Sequence, residues 1–420
     1  MAPVVVIRAG AAGLMAAIFA GRAAPSAGVV LLERTRDGGR KILVSGGGRC
    51  NVLPRVLSPE RFVTDSSPNS LRKMLLAWPL AEQKAFFEGD ADVPLVLEGE
   101  TGKYFPRSGR AREVRDALLR LAAEAGVEVR FGTRLVGLRQ AGSGWSVEIE
   151  GEPELRAQSV VIATGGLSLP GTGSDGGGLD LLAALGHAVH PLYPALTPLL
   201  AEPAPHAHLA GLSRDVTLRA PGAGPGGKAL VSTGGFLFTH RGYSGPAVLD
   251  LSHLAVRSRG SATPQRLEAQ WTALDEAAWD ELLRAQSGFV GPLLERHFQT
   301  RLAETLLAES GIEPRQPLHR LRRADRLALI GRLVRYPLPW TGDEGYAKAE
   351  VTGGGVALAE VHPQTLESRR CPGLYLCGEL LDAFGPIGGH NFSWAWSTGR
   401  AAGLAAAGRS AGAGVGRATA

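Results

Sequence analysis

Residues 4–33 open with Val4-Val5-Val6-Ile7 and turn through Arg8-Ala9-Gly10-Ala11-Ala12-Gly13. Leu14 to Arg22, rich in Ala, Leu, Met and Ile, comes next, and Val29-Val30-Leu31-Leu32 ends on Glu33. The four β-branched residues read as a short buried strand. The stretch after the glycines reads as a helix. Strand, glycine turn, helix, strand and acid, in that order, make a dinucleotide-binding βαβ unit. Gly10 and Gly13, with Ala11 and Ala12 between them, let backbone approach a pyrophosphate seated on the free N–H groups of the helix N-terminus. Glu33, with Arg34 beside it, is placed to accept a hydrogen bond from a ribose hydroxyl. One position departs from G-x-G-x-x-G: Arg8 stands where the first glycine turns the chain out of the strand. A Cβ is poorly tolerated there, so weaker cofactor binding is the expected consequence.

The chain has 420 residues, long for one domain, so two or more are expected. Apolar residues make up 44%, ample for cores. Lys and Arg number 45 against 40 Asp and Glu, a formal +5 with the charges scattered. That balance reads as a solvated surface and leaves an anionic partner, nucleic acid included, compatible. Cys50, Cys371 and Cys377 are too few and too unevenly placed for a disulfide framework or a zinc site. No metal is expected, and a reducing cytoplasm is the expected location. No apolar run reaches about 18 residues, so no membrane span is expected. The Ala-rich start lacks a basic segment ahead of it and is not read as a secretion leader.

Asp37 to Asn51 follows the second strand and contains Gly46-Gly47-Gly48, whose N–H groups can meet an anion or a ring edge. Arg40, Lys41 and Arg49 add positive charge, and Ile42-Leu43-Val44 gives the segment an apolar centre that a free surface loop does not need. Leu71 to Phe87 and Ala111 to Ala125 read as amphipathic helices. Val127 to Phe131, Arg134 to Leu138 and Trp145 to Ile149 read as strands. Val160 to Ala163 is a further strand, running into Thr164-Gly165-Gly166, and such strand ends are where α/β folds bind ligands. From Pro191 the texture changes to short alternating strands and then helical pattern over Trp271 to Ser310 and Arg326 to Val334. From Val351 the first texture returns. Gly373 to Glu379 is a strand ending in a glycine and an acid, and Gly388-Gly389-His390-Asn391-Phe392 opens a last helix, Ser393 to Ala407, with its own dipole. The expected organisation is residues 1–190 with 346–408 as one unit, 191–345 as an insert, and 409–420 as a flexible tail.

The block from Gly39 to Asn51 resembles the signature of the HI0933/YhiN-like flavoproteins, which include aminoacetone-oxidase-like enzymes. So do Ala163 to Pro170 with Gly173-Ser174, Phe238-Thr239-His240 with Ser244-Gly245-Pro246, Val351 to Val356, and Gly373 to Gly403 with Trp394-Ala395-Trp396. Leu53-Pro54 after the Cys-Asn pair departs from the usual pattern. The resemblance implies non-covalent FAD in a two-part, discontinuous Rossmann-like α/β domain, interrupted by an inserted β-barrel-plus-helical domain. It puts Gly10 and Gly13 at the pyrophosphate and Glu33 at the ADP ribose. Arg40, Lys41, Ser45, Gly46, Gly47 and Asn51 fall on the flavin and ribityl side. Val136 meets the adenine through its backbone, and Thr164 and Gly165 lie beside the cofactor. Gly378, Glu379, Gly389, Asn391 and Phe392 close over the ribityl chain and ring.

A flavin supplies the redox chemistry while the protein orients and polarises. No second complete G-x-G-x-x-G occurs, so NAD(P)H is expected as a transient donor at most, with O2 the other candidate partner. The implied reaction is oxidation of a small amine or reduction of a conjugated C=C. The alternatives are reduction of uridine in ribosomal RNA, with Arg315 to Arg335 as the segment to inspect, and a flavin-binding scaffold without turnover. No catalytic side chain stands out. His240 reads as a flavin-facing or a structural turn residue, His390 as a residue set beside the cofactor by its backbone, and Cys50 as a proton donor or a buried small hydrophobe.

Overall fold

A computed structural model describes residues 3–415, their side chains as far as Ser410. The chain divides into two compact units, Met1–Pro194 with Glu350–Ala420, and Ala195–Ala349. Each internal boundary lies four residues beyond the expected one.

The first unit is built on a five-stranded parallel sheet. Its strands are β1 (Val4–Ile7), β2 (Val29–Glu33), β3 (Val127–Phe131), β4 (Ser159–Ile162) and β5 (Leu374–Leu376), in the order β5-β4-β1-β2-β3. Val6 sits between Leu31 and Val161, and β1, β2, β4 and β5 are buried along their whole length. Continuous apolar runs suit strands covered on both faces. Helix α1 (Ala11–Ala23) connects β1 to β2, and α2 (Arg40–Val44) follows β2. Because the strands are parallel, the turns after β1, β2, β4 and β5 all emerge at one edge.

The last helix, α3 (His390–Val415), lies against α1. A Cβ on Gly399 would collide with the Ala12 carbonyl, and one on Gly403 with the Ala16 carbonyl. These glycines therefore let two helix backbones touch, and they fasten the end of the chain to its beginning. The helix runs eight residues past its expected end at Ala407, so much of the expected tail is helix. Ala405, Ala406, Ala407, Ala411 and Ala413 keep the propensity high despite the glycines. Residues 416–420 lie outside the described residues. The single helix expected over Leu71 to Phe87 is two, Pro68–Leu75 and Leu80–Glu88, because Pro79 cannot continue the first.

The second unit carries a seven-stranded antiparallel sheet. Its order is Tyr336–Pro337, Glu268–Gln270, Ser213–Ala220, Leu230–Phe238, Gly242–Ser244, Leu199–Leu200, Gly342–Asp343. The two end strands are four residues apart in the chain, and the segment between them bonds to both edges of the sheet, Leu338 N–H to the Leu267 carbonyl and Thr341 N–H to the Leu200 carbonyl. The helical stretch expected from Trp271 is three helices, Glu276–Ala285, Val290–Glu295 and Thr300–Glu309, broken where Gly288 adopts a φ of 104°. Phe236, Phe238, Tyr243 and Trp271 form the centre of its core. Among the described residues no helix is long and apolar enough to cross a membrane.

Candidate active site

A cavity opens at the sheet edge where the four glycine turns emerge, and it lies within the first unit. At one end stands the β1–α1 turn. Gly10 caps α1, and a Cβ there would meet nothing within 4 Å, so the space beside it is open. Gly13 does a different job. A Cβ on it would strike the Arg8 carbonyl, so its hydrogen lets the helix seat on the strand. Glu33 is buried and accepts N–H bonds from Ala9 at 2.8 Å and Thr35 at 2.7 Å. Two carboxylate lone pairs remain for a sugar hydroxyl.

Arg8 has a φ of 88°, a conformation glycine adopts freely. Its Nη1 donates to the Gly173 carbonyl at 2.6 Å, and its Nε lies 3.7 Å from Glu33. Burial holds this guanidinium below the ordinary arginine value, with Glu33 pulling the other way.

The middle of the cavity is formed by α2 and the glycines after it. Gly39 starts α2 at a φ of 60°, and a Cβ there would run into the Arg115 side chain beneath it. Gly46 and Gly47 have φ values of 56° and 67°, and Gly47 faces open space. Lys41 donates to Ser168 Oγ at 2.6 Å and pairs with Glu379. Ser168 donates to Glu379 Oε1 at 2.6 Å, and the Thr352 N–H reaches the same oxygen at 3.0 Å. Four distant segments thus converge on one ion pair. Two buried polar atoms nearby, Asn51 Oδ1 and Thr164 Oγ1, have no partner within the protein.

The far end is apolar, with Ala383, Ile387 and Phe392 in its wall. Phe392 stacks on Trp396 at 5.2 Å, and Trp394 Nε1 donates to the Gly378 carbonyl at 3.0 Å. The first turn of α3 enters here through Gly389 and Asn391. The Asn391 amide is engaged with Gly385, accepting from its N–H and donating to its carbonyl, both at 2.9 Å. Asn391 therefore fixes the loop while standing in the cavity wall, and the N–H groups of the first helical turn stand beside it.

Of the expected cofactor residues, the cavity gathers Gly10, Ala11, Ala12, Glu33, Arg40 and Lys41. It also gathers Ser45, Gly46, Gly47, Asn51, Thr164, Gly165, Gly378, Glu379, Gly389, Asn391 and Phe392. Three others are not in its wall. Gly13 is inside the α1 packing, Arg34 pairs with Asp175, and Val136 lies exposed on the strand Leu135–Ala141. Cys50 is fully buried and not in the cavity wall, and burial pushes its thiol up to about 12, so it keeps its proton near neutrality but does not face the cavity. His390 is buried too and pushed down to about 4 by the same loss of water. His240 is exposed, in the turn before Gly242–Ser244 of the second unit. Reading motifs missed Thr35, Ser174 and Ile387, all in the wall, and Ser168 and Thr352 behind it. Each lies in or next to a quoted block, but nothing in its residue type marks it.

A helix N-terminus with open space at its cap, a buried acid beyond the next strand, and two orphaned polar atoms between glycine turns fit a dinucleotide. The fold and site define the class: an FAD-dependent oxidoreductase on a Rossmann-type domain. The chain belongs to the family described as HI0933-like protein Rossmann domain, which matches residues 2–405. It is 32% identical to a 3-dehydro-bile acid delta(4,6)-reductase of Clostridium scindens over 96% of this chain and 98% of the relative. It is 31% identical to the ribosomal RNA dihydrouridine synthase of Escherichia coli over 94% and 95%. Among solved structures, it aligns with a 3-ketosteroid-delta4-(5alpha)-dehydrogenase of Rhodococcus jostii at 17% identity and a TM-score of 0.47, covering 97% and 96%.

Proposed function

We propose that this enzyme reduces a C=C bond conjugated to a carbonyl in a small apolar molecule, with NAD(P)H as the transient donor. One observation carries the reading. Two full-length relatives above 30% identity bear names that each describe saturating such a bond, in a 3-dehydro-bile acid and in uridine. The apolar far wall favours the small molecule.

A bound FAD would supply hydride-transfer chemistry at its ring. Gly10, Glu33 and the α1 N-terminus would hold its nucleotide half, and Lys41, Gly46, Gly47 and Asn51 its other half. The free N–H groups at the start of α3 would steady negative charge there. Saturating the bond takes a hydride at one carbon and a proton at the other. Lys41 Nζ, held between Ser168 and Glu379, is the wall's N–H donor for that proton.

The test is anaerobic. NADH or NADPH should bleach the visible absorbance of the flavin-loaded enzyme, and a 3-oxo-Δ4 steroid should restore it without oxygen. A flavin that small amines bleach and nicotinamides do not would make the enzyme an amine oxidase instead.

A further inference from the structure

Arg8 occupies the fingerprint position that glycine normally holds, and it takes glycine's conformation, with a φ of 88°. Its side chain does not turn away from the cavity. It lies in the cavity wall and spans from the β1–α1 turn to Gly173, 165 residues on, while passing Glu33. The cavity wall holds two other cations, and each is engaged more closely. Arg40 Nε is 2.8 Å from Asp37, and Lys41 is in direct contact with Glu379. Arg8 stands 3.7 Å from its carboxylate, and that carboxylate already accepts two backbone N–H bonds. Its charge is therefore the least neutralised in the wall, on a side chain only 11% exposed. A buried, loosely paired guanidinium gains most from an anion brought next to it. The anion belonging at this turn is the diphosphate of the dinucleotide, at the N-terminus of α1.

We infer that Arg8 is a diphosphate strap: a positive side chain that binds the nucleotide's phosphates where the missing glycine would only have made room for them, and that ties the Gly173 loop over them. The inference rests on FAD filling this cavity. It reverses the penalty expected from the residue type alone, because the guanidinium is anchored at its far end by the Gly173 carbonyl.

The test uses the purified holoenzyme and measures FAD dissociation, by the rise of flavin fluorescence on dilution, across a range of salt. Arg8→Gly should weaken FAD binding about tenfold, the usual scale of one charge-assisted contact, and flatten its salt dependence. Arg8→Lys, which keeps charge and Cβ, should stay within about threefold of the native protein. Arg8→Gly should also raise the melting temperature of the flavin-stripped protein, since it relieves the backbone, so weaker binding is not a folding defect. FAD held equally or more tightly by Arg8→Gly would overturn the strap and restore the view of Arg8 as a tolerated obstacle. A native protein that carries no flavin would instead remove the FAD reading itself.

Discussion

Lys41 is the side chain whose chemistry the site constrains most. Ser168 and Glu379 hold it from two segments, and Ser168 and the Thr352 N–H in turn fix Glu379, so its position does not depend on one loop. If its Nζ delivers the proton, the two halves of the reaction should separate. In Lys41→Met, bleaching by NAD(P)H should stay within about threefold, because no proton reaches carbon in that half. Reoxidation by the enone should slow by about a hundredfold, the lower range for one general acid. Stopped-flow traces of each half measure this, and equal slowing of both would mean that Lys41 acts only by holding the cofactor. Ser168→Ala, which removes one tether and leaves the amine, should show the same asymmetry in weaker form. The thiol of Cys50 offers no substitute, being buried away from the cavity wall.

At the scale of elements, the site depends on two helices from opposite ends of the chain. Ala12 and Ala16 on α1 meet Gly399 and Gly403 on α3, four residues apart on each helix, so both pairs lie on one face. Both helices start at the cavity, so their separation sets its width. Gly403→Ala would drive a Cβ into the Ala16 carbonyl and should cost about 1–3 kcal/mol by overpacking. Melting should therefore drop and bound flavin fall together, whereas Gly408→Ala, with nothing within 4 Å, should leave bound flavin unchanged and raise melting slightly by helix propensity. The strands and α1 were legible because their apolar runs and glycines have local meaning. The glycine-rich blocks, with the acids and asparagines beside them, likewise led to most of the cavity wall. What was not legible depends on contacts far away in the chain. Nothing local shows that the Asn391 amide also holds Gly385, or that the Arg8 carbonyl lies beneath Gly13. Arg8 itself reads as a defect, since residue type alone cannot show an anchor 165 residues on.

For the molecule as a whole, the open choice is between a small substrate and ribosomal RNA, and surface charge bears on it. The net charge of +5 is small for 420 residues. In the arginine-rich segment from Arg315 to Arg335, the one to inspect for an RNA face, four of the seven arginines pair within their own unit. Arg322 pairs with Asp325, Arg326 with Asp280, Arg332 with Glu309, and Arg335 with Glu276. A phosphate backbone would have to displace those carboxylates before releasing counterions, so the gain that drives RNA binding is reduced. A small neutral enone meets no such opposition. We therefore expect ribosomal RNA fragments to bind no more tightly than about 10⁻⁵ M at physiological salt, within the range of non-specific contacts. The reduced enzyme should reoxidise with the 3-oxo-Δ4 steroid and not with these fragments. Filter binding across a salt series gives the first quantity and anaerobic reoxidation the second. Tight RNA binding that Arg320→Glu with Arg323→Glu abolishes, joined to dihydrouridine formed in the fragment, would move the substrate to RNA while leaving the cavity and its chemistry as described.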